Sequence, residues 1–265
     1  NFFNCIFAFK FKNLAAIKAL IKILLTPISV IFYLLFSLAL MLCHGLQWLG
    51  LKLGGYRGHK FAVDVMNAIL LGIFYITGNR ASYENAFQLP KNMPLIIVAN
   101  HQSMFDIIAI GWFMRQVHPK FISKIELGKG IPSVSFNLNH GGSVLIDRKN
   151  PRQSLPALAK FAKYIDETKR AAVIFPEGTR SKNGQPKEFN TTGLKILLKN
   201  IPDAMVVPVT INNSWKILKY GAFPIQNFVH LKLKVHQPIA ASAMPADELI
   251  SIIEKEVKKD IYPSA

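Results

Sequence analysis

The chain has 265 residues, 51% of them hydrophobic, and its 32 lysines and arginines exceed its 15 aspartates and glutamates by 17. This length corresponds to one large domain or to a domain with an appendage. Nucleic acid would suit the charge but not the long apolar segments, so we expect an anionic membrane surface or a phosphorylated substrate as partner. The two cysteines, Cys5 and Cys43, are too few for a disulfide framework and fit a reducing compartment.

Residues 1–80 are predicted to form a basic, apolar and helical region that associates with a membrane. The chain starts at Asn1 and not at a methionine, so we expect that residues precede it. Residues 23–43 carry no charge, and a helix needs about 20 such residues to cross a bilayer core. The shorter apolar stretch at residues 65–77 suits an interfacial or packed helix. Because basic residues flank the long segment on both sides, we favour a monotopic arrangement at the cytoplasmic face over a single crossing, with a bacterial inner membrane expected.

Residues 81–265 alternate between strand and helix patterns. Strands are predicted at residues 95–99, 143–146, 171–175, 206–211 and 229–235, and helices at residues 154–169, at 193–199 and from 247 onward. Such alternation predicts an α/β fold with a mostly parallel sheet flanked by helices. The strict polar–apolar alternation of residues 228–236 indicates one solvated face and favours an edge strand.

A histidine and an aspartate follow the first of these predicted strands. His101 lies just past the strand at residues 95–99, and Asp106 comes five residues later. Such a pair can act as a general base held by a carboxylate. On one helix the two positions point roughly 140° apart. The pair can therefore meet only if His101 lies in a turn and Asp106 in the first turns of the next helix.

Two further strand ends carry residues suited to binding an anion. Arg148 follows the strand predicted at residues 143–146, where its guanidinium can meet an anion bidentately. The loop after residues 171–175 supplies a permissive glycine, two hydroxyls and a cation, namely Gly178, Thr179, Ser181 and Arg180. This combination predicts a phosphate cradle. Pro208 interrupts another strand and suits either a bend beside a ligand or an edge strand.

In this order along the chain, these stretches resemble the four motif blocks of the glycerolipid acyltransferases, specifically those acting on 1-acyl-glycerol-3-phosphate (lysophosphatidate). The blocks comprise Asn100, His101 and Asp106; then Lys124 with Asp147 and Arg148; then residues 175–181; then residues 207–209. The family's Phe-Lys-x-Gly stretch is altered here, because residues 189–193 lack the lysine and are one residue longer. Lys187 is the candidate to replace that lysine.

The resemblance implies acyl transfer from acyl-CoA or acyl carrier protein to the free hydroxyl of lysophosphatidate, giving phosphatidate in phospholipid biosynthesis. It assigns the general base to His101 and the orienting carboxylate to Asp106. Acceptor phosphate binding falls to Arg148 and Arg180, with Glu177, Gly178 and Thr179 shaping the loop and backbone N–H groups near Gly178 facing the oxyanion. Supporting roles fall to Asn100, Lys124, Ser181 and Pro208. The reaction needs no metal and no cofactor besides the acyl-carrying co-substrate.

Three alternatives remain open at this point. The motif blocks are shared by relatives with other acceptors, such as glycerol-3-phosphate or another lysophospholipid. A lipid hydrolase would use Ser103 as nucleophile, although the chain lacks the Gly-x-Ser-x-Gly pattern. A lipid-binding membrane protein without catalytic activity is the third. The sequence decides neither the acyl-chain length, nor the donor carrier, nor the oligomeric state, nor whether residues 23–43 cross the membrane.

Overall fold

The first helix, α1 (Phe2–Ile76), bends back on itself. In the computed structural model the backbone is described for residues 2–262 and the side chains for residues 16–262, so the side chain of Cys5 lies outside this part. Gly55 has a non-helical backbone with φ of 55° and divides α1 into two arms. A Cβ atom at Gly50 would lie 2.6 Å from the carbonyl oxygen of Gly58, so only glycines permit this close approach of the arms. The two apolar stretches seen in the sequence lie in different arms.

The helical hairpin α1 has a packed face and an exposed apolar face. Phe32 and Phe74, one from each arm, place their rings 5.9 and 5.6 Å from the ring of Phe105. On the outside, large apolar side chains are at least 65% exposed, namely Ile23, Leu24, Leu34, Met41, Leu42 and Leu53. The stretch Ala16–Ile76 is long and apolar enough to cross a membrane. Such an apolar surface indicates association with a membrane.

A mixed sheet follows, in the order β1-β7-β6-β2-β5-β3-β4, with β8 pairing with β6. Its strands are β1 (Arg80–Glu84), β2 (Leu95–Ala99), β3 (Pro119–Lys124), β4 (Val144–Ile146), β5 (Ala171–Ile174), β6 (Met205–Asn212), β7 (His230–Val235) and β8 (Ile239–Ala240). The helices are α2 (Phe105–Phe113), α3 (Val134–His140), α4 (Pro151–Thr168), α5 (Thr191–Asn200), α6 (Ser214–Ile217) and α7 (Ala246–Lys259), with short 3₁₀ turns at Arg115–Val117 and Ile125–Gly128. Strands β2 to β6 run parallel to one another, which confirms the predicted α/β fold.

The sheet separates two apolar layers. In β2, Leu95 and Ile97 pack in the layer that holds α1 and α2, whereas Ile96 and Val98 pack in the layer that holds α4, α5 and α7. Every residue of β2 is buried, as expected for a central parallel strand. We call the side where β2 to β6 end the carboxyl edge, and the side where they begin the amino edge.

One expectation about strand position was wrong, and one strand was not predicted. β7 is not an edge strand, because β1 pairs with its outer side. Its alternation arises because Leu231, Leu233 and Val235 are buried while His230 is exposed. β1 was missed because its sequence, Arg-Ala-Ser-Tyr-Glu, is short and polar.

Pro208 also lies in a central strand, so the edge-strand alternative for it was wrong. Its neighbour in β2 is Val98. On the other side, β6 pairs with β8 up to Val206 and with β7 from Val209 onward. Pro208 thus lies at the point where the antiparallel partner of β6 changes from β8 to β7. The N–H that proline lacks therefore costs no hydrogen bond to β7 or β8. Its carbonyl still accepts a bond of 2.9 Å from the N–H of His236.

Candidate functional site

The structure brings His101 and Asp106 together at the carboxyl edge. His101 lies in the turn between β2 and α2, and Asp106 is the second residue of α2. The Nδ1 atom of His101 lies 2.8 Å from Oδ2 of Asp106. The geometry is the one that the five-residue spacing requires. The imidazole stacks on the ring of Phe175, with 4.2 Å between the ring centroids.

Asp106 is fully buried, and donors surround its carboxylate. Oδ2 accepts bonds from the backbone N–H groups of Gln102, at 2.7 Å, and Ser103, at 2.9 Å. Oδ1 accepts a bond from the hydroxyl of Ser214. Asp106 accepts a hydrogen bond from the Nδ1–H group of His101, which leaves Nε2 as the proton-accepting atom.

Asn100 anchors the turn to the neighbouring strand. Its side-chain amide donates to the carbonyl of Ile211 over 2.8 Å and accepts from the N–H of Ile211 over 2.7 Å. This two-way bond fastens the end of β2 to β6. The supporting role expected for Asn100 is therefore a structural one in this geometry.

The loop at residues 175–181 is bonded to the same turn. Ser181 donates its N–H to the carbonyl of His101 over 2.8 Å, and Glu177 accepts the N–H of His101 over 3.3 Å. Gly178 has φ of +70° and donates its N–H to the carbonyl of Phe175 over 3.0 Å. Because this donor is occupied in the turn, the N–H of Gly178 itself is not available to an oxyanion.

Glu177 lies beneath the loop and not on its outer surface. Burial raises the pKa of its carboxyl group from the usual 4.5 to about 7, against the lowering effect of backbone bonds from His101 and Lys187. Its Oε2 atom has no hydrogen-bond partner among the described residues. This placement suits a residue that shapes the loop better than one that contacts a phosphate.

Basic side chains converge on the outer surface of the loop. Arg148 donates to the carbonyl of Gly178. Lys187 donates to the Thr179 hydroxyl over 2.7 Å and to the carbonyl of Arg180 over 3.2 Å. Arg148, Thr179, Arg180 and Lys187 are all exposed. Lys187, the candidate to replace the missing motif lysine, therefore lies against the same loop as Arg180.

Two other predicted residues lie near the site without a bond to it. Lys124 is the last residue of β3 and is exposed. It pairs with Ile146 of β4, and Ile146 precedes Arg148 by two residues. Pro208 is buried one residue before Val209, which is level with Ala99 at the end of β2. Both belong to the carboxyl edge, but no contact with His101 is seen for either among the described residues.

Sequence reasoning missed Ser214, which belongs to no recognised motif. It begins α6 and is separated from the end of β6 by one residue. The only available signal was its position just after a strand, because parallel strands end at one edge. Its hydroxyl reaches a carboxylate 108 positions earlier in the chain, and no local pattern predicts that contact.

Comparisons with known proteins agree with this geometry. A family model described as Acyltransferase matches residues 80–212. The chain is 30% identical over 186 residues to a chloroplastic 1-acyl-sn-glycerol-3-phosphate acyltransferase of Arabidopsis thaliana, covering 69% of this chain and 49% of that protein. It is 32% identical over 174 residues to the 1-acyl-sn-glycerol-3-phosphate acyltransferase of Helicobacter pylori, covering 63% of this chain and 70% of that protein.

A solved structure shows the same fold. The 1-acyl-sn-glycerophosphate acyltransferase PlsC of Thermotoga maritima superposes with a TM-score of 0.71 at 23% identity, covering 92% of this chain and 95% of that one. The chain spans about half the length of the plant relatives it matches, at 49% for Arabidopsis thaliana and 51% for Brassica napus. The matched family segment contains the His101 turn, the loop at residues 175–181 and Pro208. The chain therefore belongs to the acyltransferase family.

Proposed function

We propose that this protein transfers an acyl chain from acyl-CoA or acyl carrier protein to the free hydroxyl of 1-acyl-glycerol-3-phosphate, forming phosphatidate. The observation that carries the proposal is the bond of 2.8 Å between His101 Nδ1 and Asp106, because it leaves Nε2 to accept a proton beside a cationic loop. The names of the relatives from Arabidopsis thaliana and Helicobacter pylori support the choice of acceptor.

In the proposed mechanism, the acceptor hydroxyl attacks the thioester carbonyl carbon while Nε2 of His101 takes the hydroxyl proton. General-base assistance of this kind contributes about 10²–10⁴ in rate. Asp106 stabilises the imidazolium that forms. The tetrahedral intermediate then collapses, the carbon–sulfur bond breaks, and the departing sulfur receives the proton from His101. We assign stabilisation of the oxyanion to backbone N–H groups that follow Gly178 in the loop.

We assign the acceptor phosphate to the basic surface formed by Arg148, Arg180 and Lys187, with Thr179 between them. Guanidinium groups bind phosphate oxygens through paired, charge-assisted hydrogen bonds. The bonds from Lys187 to Thr179 and to the carbonyl of Arg180, and the bond from Arg148 to the carbonyl of Gly178, support this assignment because they fasten both side chains to the loop that carries Arg180. Glu177, Gly178 and Ser181 keep the loop in place beneath that surface.

We further propose that the enzyme acts at the cytoplasmic face of a membrane, with α1 lying in the lipid surface. The exposed apolar side chains of α1, such as Leu34 and Leu53, support this arrangement. Lysophosphatidate carries an acyl chain and resides in the same lipid layer. The membrane then delivers the acceptor to the protein.

The hydrolase alternative loses support because Ser103 is fully buried. Its hydroxyl accepts a bond from the N–H of Phe105 over 3.1 Å and lies 3.5 Å from Asp106. A nucleophile must instead contact Nε2 of the histidine. Ser103 serves here to hold the start of α2.

The test is an acyl-transfer assay on membranes that contain the full chain. Labelled acyl-CoA is offered with lysophosphatidate, glycerol-3-phosphate, lysophosphatidylcholine or water, and acyl carrier protein replaces CoA in a parallel set. The expected result is label in phosphatidate with lysophosphatidate as acceptor. Label only with another acceptor would contradict the proposed substrate. Free fatty acid in every reaction would indicate a hydrolase.

A further inference from the structure

The amino edge of the sheet carries a cluster of cations that the proposed reaction does not use. Lys120 is the second residue of β3 and is only 6% exposed. Arg170 immediately precedes β5, and Lys60 comes from the second arm of α1. We call Lys60, Lys120 and Arg170 the amino-edge cluster. It lies at the opposite end of the parallel strands from His101.

One aromatic ring brings two of these cations together. The Nζ atom of Lys120 lies 4.9 Å from the centre of the Tyr56 ring, and the guanidinium carbon of Arg170 lies 3.5 Å from it. The Tyr56 hydroxyl is bonded to Nδ1 of His118 over 2.7 Å. These cation–π contacts stabilise the cations only in part, because they supply no negative charge.

The protein provides too little negative charge to balance the amino-edge cluster. Asp64 forms an ion pair with Lys60. Within residues 16–262, no carboxylate lies within 4.0 Å of a side-chain nitrogen of Lys120 or Arg170. A buried charge is costly unless an opposite charge or hydrogen bonds compensate for it.

The pKa values of Lys120 and His118 are lowered mainly by burial, and the neighbouring positive charges lower them further. Burial, together with the charges of Arg170 and Lys60, lowers the pKa of Lys120 to about 7. Burial and the charges of Lys60, Lys120 and Arg170 lower the pKa of His118 to about 4. His118 is therefore neutral near pH 7, while a bound anion would favour the protonated form of Lys120.

From this geometry we propose that the amino-edge cluster binds a phosphate group, held by Lys120 and Arg170 with Lys60 beside them. Phosphate supplies the missing negative charge and several acceptor oxygens. An anionic phospholipid is the expected source, because exposed apolar side chains lie near Tyr56 and Lys60 along the bent helix α1. Leu53 is 80% exposed, and Phe61, the neighbour of Lys60, is 67% exposed. Free phosphate shares the same chemistry and is the second possible source.

The test measures thermal unfolding of the detergent-solubilised full chain in the presence of one added ligand at a time. The ligands are phosphatidylglycerol, phosphatidylcholine and inorganic phosphate. A ligand that binds only the folded state raises the unfolding midpoint as its concentration increases. We expect phosphatidylglycerol to raise the midpoint and phosphatidylcholine to leave it unchanged. If inorganic phosphate also raises the unfolding midpoint, the result would support the site and show that it accepts both a lipid phosphate and free phosphate.

Variants locate the effect. Lys120→Met should weaken phosphatidylglycerol binding by about tenfold or more, because one charge-assisted contact is lost. Without ligand, Lys120→Met should unfold at or above the wild-type midpoint, since burial and the neighbouring cations disfavour the charged form of Lys120. Lys255→Met is the matched control, because Lys255 on α7 is exposed and lies far from all three cluster residues in the chain. If Lys120→Met does not fold, Arg170→Gln at a half-buried position is the second test variant and should also weaken phosphatidylglycerol binding.

Either of two results would overturn the proposal. One is an equal midpoint for wild type with and without phosphatidylglycerol or phosphate. The other is a midpoint shift that survives both Lys120→Met and Arg170→Gln. His101→Ala should retain the full shift, so failure of the proposed acyl transfer and failure of this site remain distinguishable.

Discussion

Each edge of the sheet buries an ionisable side chain, and the two side chains differ in their hydrogen-bond and ionic partners. At the carboxyl edge, Asp106 is fully buried and accepts bonds from His101, Gln102, Ser103 and Ser214. At the amino edge, Lys120 is almost as buried, but an aromatic ring and two cations surround it, and the nearby carboxylate of Asp64 is paired with Lys60. A charge whose partners all belong to the protein serves an internal purpose, here the orientation of an imidazole. A charge without such partners points to a ligand from outside.

The largest effect is expected when the internal pairing at the carboxyl edge is broken. Asp106→Asn should lower kcat by about 10²–10⁴, because an amide no longer selects the His101 tautomer or stabilises its cation. Steady-state kinetics with acyl-CoA and lysophosphatidate measure the change. The control is Asp166→Asn, which removes an exposed carboxylate of α4. Near-normal kcat in Asp106→Asn would remove Asp106 from the mechanism.

The next effect concerns the outer surface of the carboxyl edge. Arg180→Ala should raise the KM for lysophosphatidate by about tenfold to a hundredfold, since a charge-assisted contact with phosphate is lost. The KM for the acyl donor should change much less. Arg152→Ala, at an exposed position of α4, is the matched control. An equal rise in both KM values would argue against a phosphate-binding role for Arg180.

A smaller loss is expected from Ser214→Ala, which removes one donor to Asp106 and leaves those of His101, Gln102 and Ser103. We expect kcat to fall by about tenfold with KM unchanged, because the carboxylate is still held but less firmly. Ser251→Ala, on the exposed side of α7, provides the comparison. Wild-type kcat in Ser214→Ala would show that the backbone donors suffice.

The last effect is on stability and not on kinetics, and it concerns Glu177. Because the folded state raises the pKa of Glu177 to about 7, it binds more protons than the unfolded chain between pH 4.5 and 7. Its contribution to the free energy of unfolding therefore falls as pH rises through that window, by on the order of 2 kcal/mol. Glu177→Gln should remove this slope in denaturant titrations at several pH values. The same slope in wild type and variant would contradict the buried position of the carboxyl group.

The sequence predicted what depends on local pattern. The apolar run of β2, the His101–Asp106 spacing and the glycine turn at Gly178 are each encoded within a few residues. β3 was missed because Pro119 and two lysines obscure its apolar pattern. The bend of α1 at Gly55 was missed because glycine alone does not reveal how two helical arms pack.

Long-range contacts escaped sequence reasoning for a physical reason. Ser214 reaches Asp106 and Lys120 lies near Arg170 because the sheet order places distant segments side by side, and Tyr56 joins them because α1 packs on the sheet. No residue near Lys120 in the chain signals that its charge becomes buried without a carboxylate. Tertiary packing and not local propensity decides such contacts.

The most direct test of the central claim compares wild type with His101→Ala in labelled acyl transfer to lysophosphatidate. The proposal predicts that phosphatidate formation is lost, while the variant sediments with phospholipid vesicles as wild type does. His230→Ala, at an exposed position in β7, should retain activity. Substantial phosphatidate formation by a membrane-bound His101→Ala protein would contradict the assignment of His101 as the general base.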